Sequence, residues 1–490
     1  MKFRYILSVI AIVVVTTGSY AQYNQDAFRF STSQQGTTSR FKAIGNASTA
    51  LGGDISSISS NPAGLGFFSK SEFSFTPEFN STKITSTYFG QTNEMLKENV
   101  NLNNIGVVFS VRTSVPKGSA VDKGLLSFGI GLSYSRTNNF YEDTYYAGRN
   151  ANNSIADYYV EQANKNSIPE GSLQGWGFDH FLIDEVSTGK YRSNTAFGAD
   201  QVNDIITTGG QNEFNISVGA NHSNQFYFGA GIGLASLKYN KTSVFTEVGN
   251  QYIDDLDYTT RQTYDQETTG NGINLKLGVI FKPTDAFRIG ASFTSPTWYN
   301  VKDITTLGLR TNYVGSNTYI SGPEEYEVNY DLRTPSKLNG GIALFLKKTG
   351  FISADVEYVN YSGIKLGGDY SYNENVDNRR IAKQYKSAVN ARIGGEAKLN
   401  KILIRAGYNL QANPERGIGS DIETISGGLG YRFGSYYLDL TYTNVLSKPT
   451  VYPYELDPEY SPDPTNVFVS PSANLKKTND NVFLTFGIRF

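Results

Sequence analysis

The side chains that could do chemistry are few and poorly placed for it. The 490-residue chain has two histidines and no cysteine. Hydrolysis by a serine needs a histidine base held beside it. His180 falls in the longest polar stretch and His222 at a turn signal, so both read as surface residues. Asp254, Asp255 and Asp257 have the composition of calcium ligands. Neither the spacing nor the turn glycine of an EF-hand follows, so they read as a solvated acidic loop. Gly231 and Gly233 imitate a phosphate loop, but no helix comes after them. They lie within one alternating strand, where glycine leaves lumen space. No enzyme activity, metal or cofactor is expected. Without cysteine there is also no disulfide framework and no lipoprotein anchor.

The elements that carry these residues are strands. Val482, Leu484, Phe486, Ile488 and Phe490 alternate with Phe483, Thr485, Gly487 and Arg489 at the C-terminus, a period of two ending on an aromatic residue. Ile402, Ile404, Ala406, Tyr408 and Leu410 alternate in the same way with Leu403, Arg405, Gly407, Asn409 and Gln411. Ile352, Ala354, Val356 and Tyr358 oppose Ser353, Asp355 and Glu357. Charges pointing into a sandwich core would cost several kcal/mol each. The apolar face therefore meets lipid and the polar face is wet, as in a transmembrane antiparallel β-barrel. A composition of 34 Tyr, 30 Phe and 49 Gly with a net charge of −2 fits that class and leaves no footprint for nucleic acid.

Runs of this kind give about fourteen strands, starting near residues 71, 103, 125, 211, 226, 271, 287, 334, 351, 385, 402, 422, 436 and 480. Short turns such as Ser223 to Gln225, Asn400-Lys401 and Gly434-Ser435 alternate with long loops, above all Asn139 to Gly210 and Lys241 to Thr269. Short turns belong on the periplasmic side of an outer-membrane barrel. At the other end of the chain, Lys2 and Arg4 precede an apolar run closed by Ser19-Tyr20-Ala21, which predicts a signal peptide over 1–21. The apolar run is too short for a convincing spanning helix.

Between leader and first strand lies Ala43 to Phe68, AIGNASTALGGDISSISSNPAGLGFF, almost all small residues with Asp54 as its only charge. Such a segment cannot build a core of its own, but it can pack closely inside something else. It reads as a plug within residues 22–70, leaving 71–490 for the barrel. The Ala and Gly run leads to Asp54, and Asn61-Pro62-Ala63-Gly64-Leu65 follows seven residues on. This pattern resembles the N-terminal hatch of the FadL/TodX family of outer-membrane transporters, with Gly53 standing where the family often has a first acid. Later strands resemble the same family, as in Ala354-Asp355-Val356-Glu357-Tyr358 and Ser426-Gly427-Gly428-Leu429-Gly430-Tyr431.

The resemblance implies passive uptake of a hydrophobic compound, such as a long-chain fatty acid, by a monomer in the bacterial outer membrane, surrounded by its lipid. Its terminal Phe490 resembles the signature read by the barrel-assembly machinery. Trp176, Phe178, Phe181 and Leu182 in the long loop are candidates for a first capture surface. A general porin and a surface receptor or adhesin remain open on the same barrel.

Overall fold

In a computed structural model, residues 20–113, 123–368, 374–457 and 469–490 are described. The expected export segment lies outside these up to residue 19, and its last two residues open the first helix. Fourteen antiparallel strands close into one barrel: β1 Glu72–Tyr88, β2 Gln91–Arg112, β3 Leu125–Asn139, β4 Ala199–His222, β5 Phe226–Asn250, β6 Asp257–Phe281, β7 Phe287–Thr294, β8 Lys337–Phe345, β9 Gly350–Asn360, β10 Ser387–Leu399, β11 Ile402–Gln411, β12 Ile422–Phe433, β13 Tyr436–Ser447 and β14 Ala473–Arg489. Each pairs with its neighbour in sequence, and β14 returns to β1 through Glu72↔Arg489 to Thr87↔Asn474. Closure leaves the sheet of the barrel no edge at the level of the membrane, which is what lipid requires of a spanning sheet.

Outward residues mark the membrane. On β6, Ile273, Leu275, Leu277 and Val279 are 45 to 55% exposed, and above them the outward positions turn polar at Asn271, Thr269 and Glu267. The apolar stretch from Ile273 to Phe281 matches the 9–11 residues of a tilted spanning strand. Ile404, 44% exposed, faces outward, and Asn409, 6% exposed, faces the lumen. Arginine at Ile404 is therefore expected to cost about 2–4 kcal/mol near the midplane, and arginine at Asn409 far less. Folding titrations in urea check this, and equal tolerance of the two would refute the assignment of faces.

Eight strands start one to fourteen residues away from where alternation alone puts them, and the four large differences, at β2, β4, β6 and β14, arise because these strands run on above the membrane. β4, β5 and β6 are 24 or 25 residues long. The loop expected from Lys241 to Thr269 is instead the top of a tall hairpin, with only residues 251–256 joining β5 to β6. Likewise β1 and β2 meet at Phe89-Gly90, both with positive φ, rather than through a long loop. Above the lipid both faces are wet, so alternation no longer reports the strand. Trp298–Tyr313 and Thr318–Arg333 form a further hairpin that carries β7 and β8 upward, paired to β6 through Trp298↔Ile273.

The stretch expected as a loop from Asn139 to Gly210 is also largely folded. Glu142–Asn150 continues β3 along β4, then α3 Ile155–Asn166, α4 Leu173–Asp179 and a small hairpin, Ile183–Ser187 with Lys190–Ser193, form a cap. Ser154 caps α3 by accepting from Ala156 N, and Asp157 closes the box by accepting from Ser154 N at 2.8 Å. That Ser-x-x-Asp spacing was the readable signal for the helix.

Candidate functional site

The N-terminal segment lies in the lumen, tied to inward-facing residues around the barrel. Ser39 N donates to Thr485 Oγ1 on β14 at 2.7 Å, and Gly45 N to Ser426 Oγ on β12 at 3.1 Å. Asp355 on β9 accepts from Ser48 N, Thr49 N and Thr49 Oγ1 at 2.7 to 2.8 Å. From the wall, Ser217 of β4 donates to Ile58 O and Ser110 of β2 to Phe68 O, both at 2.7 Å.

The residues singled out in the sequence shape this segment. Asp54 caps the 3-10 turn Ile55–Ile58, accepting from Ser56 N at 3.0 Å and Thr38 Oγ1 at 2.9 Å. Asn61 caps the next turn, Pro62–Phe67; its Oδ1 accepts from Ala63 N at 3.2 Å and its Nδ2 donates to Thr49 O at 2.7 Å. Its backbone is extended, φ −137 and ψ 97, as the following proline demands. Ala63 and Leu65 are fully buried, and Gly64 runs against Gly52 and Ser57. The corner rests on Gly219, Gly229 and Gly278 of β4, β5 and β6, where no side chain would fit, rather than on the first strand.

Beside these contacts the lumen is filled with paired charge. Arg40 reaches Glu396 at 3.2 Å, Arg405 reaches Glu396 and Asp439 at 2.7 Å each, and Arg432 reaches Asp439 at 2.9 Å. Arg392 holds Glu357 at 2.8 Å, and Lys276 holds Glu213. An apolar molecule descending the axis would have to break buried ion pairs, each costing several kcal/mol when one partner is lost.

Above the segment stands a cavity of about 1040 Å³. Its floor is α1, Tyr20–Ser31, whose Tyr23 meets Tyr330 at 5.5 Å and whose Phe28 stacks on Tyr385 at 4.6 Å. Its roof is the cap, through Tyr158 and Leu173; Phe245, Tyr264 and Val328 line its wall, and α5, Glu374–Gln384, stands at its side. Glu247 on β5 holds the roof to the wall. It is fully buried and accepts from Ser154 Oγ at 2.5 Å, Ile155 N at 3.0 Å, Gln201 Nε2 at 2.6 Å and Tyr258 OH at 2.7 Å.

The residues expected as an exposed capture surface mostly face inward instead. Trp176 is 7% exposed, Leu182 is fully buried, and Phe178 packs on Tyr191 within the cap's own core. Phe181 alone of the four is open, at 50% exposure, against Tyr319. His180 is also buried, correcting its reading as a surface residue, whereas His222 lies exposed at its turn. The His180 ring nitrogens face Thr311 Oγ1 at 3.1 Å and Ser321 Oγ at 2.9 Å, and burial pushes its pKa down to about 4. Its contribution to the cap is present above the unfolded value of about 6.5 and is lost as pH falls towards 4. Asp157 has the opposite slope: burial, with Glu247 nearby and despite the Ser154 amide, raises it to about 7, so its stabilisation is lost as pH rises from the ordinary carboxylate range through 7. The His180 part is therefore read as a difference. Proteolysis of the cap is expected to increase between pH 7 and pH 5 more in the native chain than in His180→Gln, and identical profiles would refute it.

The wall is also incomplete on one side. β2 pairs with β3 only from Asn104↔Ser135 to Arg112↔Ser127. Gln91 to Leu102 pair with β1 alone, and Glu142–Asn150 pairs with β4 alone. A bulge in β3 between Arg136 and Asn138 marks where the two sides part. Among the described residues this seam is bridged by side chains, Lys97 to Asp143 at 3.1 Å and Asn139 to Asn99 at 3.4 Å. It opens at the upper margin of the apolar belt, beside outward Val100, which is 73% exposed. Ile205, which lines the cavity, lies in register with Thr144 one strand from it. Nothing in the local sequence announces the seam, because it is a missing pairing rather than a residue pattern.

A closed fourteen-stranded barrel with a filled lumen, a covered upper chamber and a side seam defines a class of membrane barrel. No family model and no curated protein matches this sequence. Solved structures do. The P. putida toluene transporter TodX is 12% identical, covering 93% of this chain and 99% of its own, with a TM-score of 0.54. A Pseudomonas aeruginosa FadL homologue is 13% identical over 93% and 98%, TM-score 0.54, and the Ralstonia pickettii toluene transporter TbuX 14% identical over 93% and 99%, TM-score 0.50. The fold of this chain is the FadL/TodX fold.

Proposed function

We propose that this chain sits in a bacterial outer membrane and takes up hydrophobic compounds passively, with residues 22–70 as its plug. The observation that carries the reading is the large aromatic-walled chamber above a lumen packed with protein, with a seam in the wall beside it. Cargo enters the chamber from outside, is denied the charged axis, and leaves sideways between β2 and β3 into lipid. Phe181 and Tyr319 at the rim offer a first contact. A long-chain fatty acid fits such a route, its tail passing over Leu102 and Val100. The barrel works as a monomer, and its terminal strand with Phe490 is offered to the assembly machinery. The proteins of the same fold bear the names of transporters and channels, which supports transport over catalysis.

The absence of native cysteine makes a clean test available. Lys97→Cys with Asp143→Cys, joined by a short bis-maleimide, is expected to abolish most uptake of a labelled fatty acid or toluene while the barrel stays folded on an unboiled gel. Unchanged uptake by the linked protein would rule out the side exit. Sugar-driven swelling of liposomes by the native protein would point instead to a general porin. Removal of the cap with transport intact would leave the cap free for a receptor role.

A further inference from the structure

Two places on the proposed route share a chemistry that a hydrocarbon does not need. Around the upper chamber, eight side chains are Asn or Gln and six are Tyr, more than the aliphatic residues there. Ligand pockets for apolar molecules are ordinarily apolar with a few placed polar groups. Carboxamides supply donors and acceptors together, and phenol rings add an apolar face with a hydroxyl tip, a set that matches hydroxyl and amide groups. Seven charged side chains stand there too, half as many as the carboxamides and phenols together, and several of them are paired. Lys165 is held by Glu161 at 2.7 Å and Asp457 at 3.0 Å. Lys241 stands over the Tyr264 ring at 4.9 Å, and burial, with Arg29 nearby, lowers its pKa to about 8.

The seam repeats the pattern. Across it Asn139 Nδ2 donates to Asn99 Oδ1 and Asn80 Oδ1 at 3.4 Å each, and behind them Asn101 Nδ2 on β2 donates to Asn80 Oδ1 on β1 at 2.7 Å. The buried Asn99 Nδ2 has no protein partner among the described residues. A bare hydrocarbon passing here would separate these amides and return nothing, whereas a hydroxylated head can exchange hydrogen bonds with them in turn.

We infer that the cargo is an amphiphile whose head carries several uncharged hydroxyl or amide groups, held in the chamber by carboxamides and tyrosines and passed through the seam by asparagines. This rests on the transport reading above. The apolar tail follows along outward Val100 and Leu102 into lipid, so head and tail each meet their own kind of surface.

Three labelled probes of one chain length test this in proteoliposomes of the full barrel: dodecanoyl-N-methylglucamide, laurate and dodecane. The glucamide is expected to cross about ten-fold faster than either of the others, after subtraction of empty liposomes. Gln162→Leu with Gln384→Leu should cut that preference to about two-fold with normal heat-shifted gel migration, whereas Lys348→Ala, in the exposed turn between β8 and β9, should leave it unchanged. Laurate or dodecane crossing faster than the glucamide would overturn the inference and leave transport standing, as would full retention of the preference in the double variant. If no probe crosses faster than in empty liposomes, the transport reading itself falls.

Discussion

Valine in place of Gly229 is expected to leave the fourteen strands closed and the lumen open. A Cβ at that position would stand 2.6 Å from Ala63 N and closer still to the Pro62 carbonyl carbon. These are backbone atoms, so no rotamer relieves the clash, and overpacking of this kind costs about 1–3 kcal/mol. β5 is bonded along its length to β4 and β6, with Gly229 opposite Gly219 and Gly278, whereas the corner is held by a few bonds. The plug is therefore the part that moves. Liposomes carrying the variant should swell with sugars, and trypsin should reach Arg40 and Lys42, both of which are shielded in the native chain. Gly340→Val is the control, because a Cβ there meets nothing within 4 Å. Native sugar permeability and native protection of the plug would refute the expectation.

Loss of Glu247 should have the second large effect, on the roof rather than the floor. Glu247→Ala strands the Ser154 hydroxyl, the Ile155 amide, the Gln201 amide and the Tyr258 hydroxyl in a buried place. Each buried donor left without its acceptor costs about 1–3 kcal/mol, so the cap should detach locally while the barrel below is unaffected. Limited proteolysis should cut near α3, and half-saturating concentrations for uptake should rise about ten-fold or more if the chamber loses some 1.4 kcal/mol of its hold on cargo. Glu247→Gln keeps one acceptor oxygen and should restore part of the protection. A cap as protease-resistant in Glu247→Ala as in the native chain would show that other contacts hold it.

How far the sequence could be read depended on whether a residue meets lipid. Ile404 and Val356 lie on strands with one oily and one wet face, so alternation placed them correctly and the strand count came out at fourteen. Phe245 and Thr268 lie on strands with water or protein on both sides, and there the same periodicity carried no signal. The small-residue stretch around Asp54 and Asn61 was legible because only closely packed backbone needs such composition. The chamber was not, since Tyr23, Phe245, Tyr326 and Gln384 come from four distant segments that only the fold brings together. Trp176 and Leu182 misled because an apolar cluster in a loop looks the same whether it awaits a ligand or forms a small core.

The glycine contacts also bear on how the molecule is made. Backbone of the N-terminal segment abuts Gly219, Gly229, Gly278, Gly290, Gly394 and Gly407, which lie on six different strands. An empty wall would present there a row of bare glycines together with Arg405, Glu396 and Asp439, and its curvature would be set by nothing inside it. The segment thus stands where a mandrel would, and the chain runs from it directly into β1, the strand that β14 must find to join the cylinder. Barrels assembled from a chain lacking residues 22–68 should consequently close late, or at other diameters, even when the missing piece is supplied as a separate peptide after folding.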